Sequence, residues 1–264
     1  MKEFQETTFE FLFATAKKAA AAILDIYGDD FDVHRKADTS PVTAADLAAD
    51  QLIRDALRET FPSIPVISEE SHLPDYDKRR SWSRYWLVDP LDGTREFVNR
   101  NGEFTVNIAL IENQYPVAGM IYAPVQKVAW WGGKRYGATR RRDGNDTPIA
   151  VNQVSRDCPR VLVSRSHRST ATNAWLTEVG AHDAQPLGSS LKFCALAEGT
   201  ADVYPRFGPT SEWDTAAGQA IVEGAGGKVT TWQGQRLAYN AKADILNGDF
   251  IAHSDNGRHW PGLG

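Results

Sequence analysis

Apolar residues recur at helical spacing through residues 4–27, where Phe9, Leu12, Phe13, Ala16, Ala20, Ile23, Leu24 and Tyr27 predict one long amphipathic helix ended by Gly28. A second helix is expected after Pro41, with Thr43 as N-cap, Asp46 in capping-box position, and Leu47, Ile53 and Leu57 on its buried side. Short β-type runs follow at residues 65–67, 85–88, 104–111, 117–122 and 128–131. Turn-like Asn113-Gln114 and Ala123-Pro124 join the last three, which predicts an antiparallel meander. The polar run Arg140-Arg141-Arg142-Asp143-Gly144-Asn145-Asp146 is expected to be a loop dividing the chain into residues 1–145 and 146–264. Beyond it strands (161–164, 201–204, 228–231) alternate with helices (170–179, 189–197, 213–223). Such alternation predicts α/β layering, with two halves sharing one cleft.

Composition narrows the class. The chain has 264 residues, 42% hydrophobic, enough to bury a substantial core and to exclude disordered and collagen-like classes. A net charge of −5 argues against a nucleic-acid polymer as partner, and makes the Arg140–Arg142 run a solvated loop rather than a binding patch. Cys158 and Cys194 are too few for a disulfide framework, which points to a reducing compartment. Lys2, Glu3 and Glu6 interrupt the N-terminus, so no secretory leader is expected, and no apolar run is long enough to span a membrane. The expected location is the cytoplasm, with loose peripheral membrane association left open and a monomer favoured.

The chemistry lies in the acids. In Trp86-Leu87-Val88-Asp89-Pro90-Leu91-Asp92-Gly93-Thr94 a strand runs into a turn stiffened by Pro90 and bent at Asp92-Gly93. Such a turn can aim two carboxylates and the Leu91 carbonyl the same way, three hard oxygen donors of the type magnesium prefers. An ordinary Asp-Gly turn after a strand has the same residues. Glu69 and Glu70 read alone are a solvated pair, Asp46 a capping acid, and Asp214 an acid at a helix start. Together they place carboxylates at strand ends and helix starts, where mutual repulsion calls for cations. Cys158, His167, His182 and Cys194 lack the close paired spacing of a zinc site.

In that order, Asp46, Ser68-Glu69-Glu70, Asp89 to Thr94 and Trp213-Asp214-Thr215-Ala216-Ala217-Gly218 resemble the motif set of the lithium-sensitive, magnesium-dependent phosphatases of the inositol monophosphatase superfamily. Further strings are similar to its 3'(2'),5'-bisphosphate nucleotidase branch. They are residues 36–46, residues 100–110, Gly188-Ser189-Ser190-Leu191-Lys192-Phe193-Cys194 and Tyr204-Pro205-Arg206-Phe207-Gly208-Pro209. The resemblance implies a layered αβαβα sugar-phosphatase fold with the metal site between its halves, and hydrolysis of the 3'-phosphate of 3'-phosphoadenosine 5'-phosphate to AMP. It implies two or three magnesium ions. Glu69, Asp89 and the Leu91 carbonyl would hold the first, and Asp89, Asp92 and Asp214 the second. Thr94, paired with Asp46, would orient the attacking water, the backbone of Gly93 and Thr94 would hold phosphate oxygens, and Ser189, Lys192 and Arg206 would contact the nucleotide. An inositol or sugar phosphatase would keep the metal ligands and differ at 188–192 and 204–206. A non-catalytic binding protein would be marked by loss of Thr94 or a ligand acid, and all are present.

Overall fold

The computed structural model describes residues 2–28, 33–35, 41–165 and 169–264. The motif residues 36–40 and His167 lie outside them.

A seven-stranded sheet takes its strands in chain order: Val66–Ser68, Arg84–Asp92, Thr105–Glu112, Tyr115–Ala123, Val128–Gly133, Gly137–Arg142 and Asn145–Ile149. The first pair is parallel; the rest run antiparallel, extending the expected three-strand meander by Arg84–Asp92 at one end and by a hairpin at the other. That hairpin corrects the loop expected at 140–146: Asp143 and Gly144 make a left-handed turn between two paired strands. Arg141 ties it down through Glu10 and Asp146, with its guanidinium 4.8 Å from the ring centres of both Phe13 and Trp131. The division expected after Asn145 falls inside the last strand, so the chain leaves this sheet at Ile149.

Both faces of the sheet are covered, which is why residues 85–88 are apolar without alternation. Trp86 and Val88 face the helices Lys2–Tyr27 and Ala44–Thr60, packing with Leu12, Ala16, Ile23, Ile53 and Leu57. Leu47 is a correction: it is 52% exposed, and Ala45, Ala49, Ile53 and Leu57 form the buried stripe instead. Tyr85 and Leu87 face the other way, toward the helices Leu191–Ala197 and Glu212–Gly224. There the backbones come very close. A Cβ on Gly119 would stand 2.4 Å from the Ala217 carbonyl oxygen, so only glycine lets the Glu212–Gly224 helix lie on the sheet.

The far side of those two helices carries a five-stranded sheet, ordered Asp183–Leu187, Arg160–Ser164, Val203–Arg206, Phe250–Ser254 and Gly227–Thr231. Its first three strands run parallel and the last two antiparallel to their neighbours. Val161, Val163 and Ile251 on its outer face meet Trp175, Leu176 and Trp260, closing the molecule with the helix Thr170–Val179. The layers are therefore α, β, α, β, α, as expected.

Candidate active site

The acids sit where chain segments from different layers end together. Glu69 directly follows the strand Val66–Ser68, and its amide donates to the Val88 carbonyl of the neighbouring strand at 3.2 Å. Asp89 lies in that neighbouring strand just before the register shifts between Asp89 and Asp92. Asp214 is the third residue of the Glu212–Gly224 helix, where its Oδ2 accepts from the Ser211 amide at 3.0 Å in a capping box. Glu69, Asp89 and Asp214 each bring one carboxylate oxygen within 4.8 Å of the others.

Burial and crowding dominate the electrostatics. Asp89 is fully buried; loss of solvent, then Glu69, Asp92, Asp214 and Asp46, push its carboxyl well above the usual range. Asp214 is raised by burial first, then by Asp92 and Glu69, with the Ser211 amide opposing. Three hard oxygen donors sharing one buried point repel one another, and a divalent cation with oxygen preference fits the donor set.

The other expected residues surround this centre. Asp46 is buried in the first turn of Ala44–Thr60, and its charge is felt at Asp89. Thr94 opens the short helix Thr94–Val98 immediately after Gly93, whose φ of +92° bends the chain there. Leu91 is buried, with its amide donating to Asp89 Oδ1 at 3.1 Å. Asp92 Oδ2 accepts from the Ser190 amide and hydroxyl, both at 2.6 Å.

Beside the acids lies a cavity of about 190 Å³ lined by Asp92, Gly93, Ser189, Lys192, Arg206 and Asp214 among others. The structure thus brings Asp92 and Asp214 to one opening with the expected nucleotide contacts, and Asp214 joins that opening to Glu69 and Asp89. Lys192 is buried rather than solvated: Nζ donates to the carbonyls of Ser189 (2.7 Å) and Leu187 (3.1 Å) and lies 5.3 Å from the Tyr204 ring centre. Burial, with Arg206 adding repulsion, pulls its pKa down to about 8. Arg206 is half-buried and donates to the Pro209 carbonyl at 3.0 Å. Cys158 is exposed and Cys194 is buried in the core.

Sequence reasoning missed several supports. Asp50, one turn beyond Asp46, accepts from Ser68 Oγ at 2.6 Å and from Arg54 Nε at 2.7 Å, holding the strand end that leads into Glu69. Glu103 accepts from the Gly188 amide and from Arg165, tying the first sheet to the loop before Ser189. Asn107, a polar residue inside an otherwise apolar strand, was the visible signal of a buried polar contact; it donates to Ser190 Oγ at 2.7 Å.

A five-layer fold with an oxygen-donor centre between its sheets defines a metal-dependent phosphatase architecture. The chain belongs to the inositol monophosphatase family, which it matches over residues 5–260. It is 49% identical over 237 residues to the 3'(2'),5'-bisphosphate nucleotidase CysQ of Salmonella typhimurium, covering 89% of this chain and 95% of that protein. Its structure is similar to that of CysQ from Bacteroides thetaiotaomicron, with a TM-score of 0.81 and 40% identity over 95% of this chain and 98% of the other. It is also similar to inositol monophosphatase from Anabaena, with a TM-score of 0.77 and 27% identity over 96% and 92% of the two chains.

Proposed function

We propose that this chain is a 3'(2'),5'-bisphosphate nucleotidase, a magnesium-dependent phosphomonoesterase that converts 3'-phosphoadenosine 5'-phosphate to AMP and phosphate. The observation that carries the reading is a carboxylate cluster of Glu69, Asp89 and Asp214 whose member Asp214 lines, with Asp92, the same cavity as the cations Lys192 and Arg206. A substrate with two phosphates needs both: one at the acids through their metal, the other at side-chain cations. The likeness to the CysQ nucleotidases supports the choice of substrate.

Glu69, Asp89 and the Leu91 carbonyl would hold one magnesium ion, and Asp89, Asp92 and Asp214 a second. When bound, magnesium neutralises charge developing on phosphate and leaving oxygens and lowers the pKa of water. Thr94 orients the attacking water through its hydroxyl, and Asp46 accepts the proton, since a threonine hydroxyl is not itself a base. Backbone amides of Gly93 and Thr94 hold the transferred phosphoryl oxygens. Ser189, Lys192 and Arg206 fix the 5'-phosphate, so that catalysis rests on positioning and charge stabilisation without a covalent enzyme intermediate.

The test is phosphate release from 3'-phosphoadenosine 5'-phosphate, inositol 1-phosphate and fructose 1,6-bisphosphate, each with magnesium, with chelator and with lithium. Preference for the nucleotide, lost in chelator, is the expected result. Preference for either other substrate would overturn the roles of Ser189, Lys192 and Arg206 while keeping the metal centre.

A further inference from the structure

Between Ser189 and the helix that carries Lys192 stands Ser190, whose side chain faces a different task. Ser190 is buried and meets three residues, Asp92 and Asn107 of the first sheet and Asp214 of the helical layer. Its amide and its hydroxyl both reach Asp92 Oδ2 at 2.6 Å. Its Oγ accepts from Asn107 Nδ2 at 2.7 Å, and Asn107 Nδ2 also approaches Asp92 Oδ2 at 3.3 Å. The Asp214 carbonyl lies 3.0 Å from the same Oγ. A hydroxyl has one proton, and the shorter contact, to a charged acceptor, takes it. Ser190 therefore binds the Asp92 carboxylate while standing against the backbone of Asp214.

This geometry has a consequence for a cation. The hydrogen bonds described for the Asp92 side chain fall on Oδ2, so Oδ1 is the oxygen it would offer to a cation. The same contacts restrain the carboxylate against rotation and hold it in the first sheet's register next to the helix that bears Asp214. Alanine at this position would keep the amide bond but lose the hydroxyl. Asn107 Nδ2 would then lose its shortest partner in a buried site.

We propose that Ser190 is a positioning residue for the metal centre: its hydroxyl orients Asp92 and couples the nucleotide-contacting loop to the cation site. The inference rests on Asp92 being a metal ligand in the function proposed above. Outer hydrogen-bond partners of metal ligands act in this way, and their loss weakens metal affinity by about 10–100-fold.

The experiment measures manganese binding directly, by electron paramagnetic resonance and calorimetry, in the wild type, Ser190→Ala, Ser190→Thr and Ser190→Cys. It is paired with magnesium titrations of phosphate release and with thermal melts in chelator. Ser190→Ala is expected to weaken cation binding by about 10–100-fold. It should raise the magnesium needed for half-maximal activity in parallel, with a much smaller change in nucleotide KM at saturating metal. Ser190→Thr, which restores the hydroxyl, should recover the affinity. If the alanine variant does not fold, Ser190→Cys fills the space with a weak donor and should show the same loss. Wild-type cation affinity in folded Ser190→Ala or Ser190→Cys would overturn the inference. The phosphatase reading fails separately, if the wild type binds manganese yet releases no phosphate from any of the three substrates.

Discussion

Two groups at the centre of the site carry opposite electrostatic burdens. Asp89 is buried among acids, so its charge is unfavourable until a cation arrives. Asp89→Asn should cost several kcal/mol of transition-state stabilisation, on the order of 10³-fold in kcat/KM. The metal-free protein should meanwhile melt no lower than wild type, because asparagine removes a carboxyl whose charged form burial and the neighbouring acids disfavour; stopped activity assays and calorimetry in chelator check both halves. A second expectation concerns protons. Burial and crowding raise the pKa of the Asp89 and Asp214 carboxyls without metal, so a cation competes with protons there and its apparent affinity should rise with pH. Calorimetry in buffers of different ionisation enthalpy counts those protons, and a count of zero would contradict the crowded-acid picture. Lys192 behaves in the reverse sense. Its pKa is lowered to about 8, so as pH rises through that value the free enzyme loses the Lys192 charge on the cavity wall. The kcat/KM for the bisphosphate should fall above about pH 8, and Lys192→Arg should move that fall to higher pH. A matched fall for a simple phosphate monoester would deny Lys192 a part in recognition.

At the scale of elements, the site depends on how closely the Glu212–Gly224 helix can approach the first sheet. Gly119 permits this approach, because any Cβ there would meet the Ala217 carbonyl at 2.4 Å. Gly119→Ala should destabilise the fold by about 1–3 kcal/mol through overpacking. Because the displaced helix carries Asp214, the variant should also bind magnesium more weakly, which thermal melts with and without the ion would show. The strand Val66–Ser68 is held in a different way. It is short and pairs on one side only in the sheet order, so Asp50 reaching Ser68 Oγ provides a second fixation just before Glu69.

Across the whole molecule, the clustered acids come from both sides of an interior boundary. Glu69 and Asp89 belong to the seven-stranded sheet, whereas Asp214 belongs to the helical layer packed between the two sheets. A cation held by all three stabilises the folded state only, by about 2.7 kcal/mol when present at a hundredfold excess over its Kd. Magnesium should therefore raise Tm in the wild type, chelator should reverse it, and Asp89→Asn should abolish most of the rise. The cation contacts at Lys192 and Arg206 open on the same cavity, so charge balance there joins acids bound for metal with bases bound for phosphate. Among the described residues no helix is long and apolar enough to cross a membrane.

Much of this organisation is local information, and local information is legible in the chain. Helical spacing from Phe9 to Tyr27, the turn at Asp92-Gly93 and the capping position of Asp214 each follow from neighbours within a few residues. The ordered acids pointed to a cation for the same reason, since their side-chain chemistry does not depend on the fold. The hairpin over Arg140–Asp146 was misjudged because its polar strand residues are paired with one another and with Glu10, a partner more than a hundred positions away. Leu47 was misplaced because helical spacing identifies a face without showing what covers it. Ser190 reaches Asp92 across 98 positions, and Lys192 is desolvated by a cavity wall assembled from separate layers. Such contacts are set by packing of distant segments, so the identity of the acids was readable residue by residue, while their separation, protonation and supports exist only once the layers close.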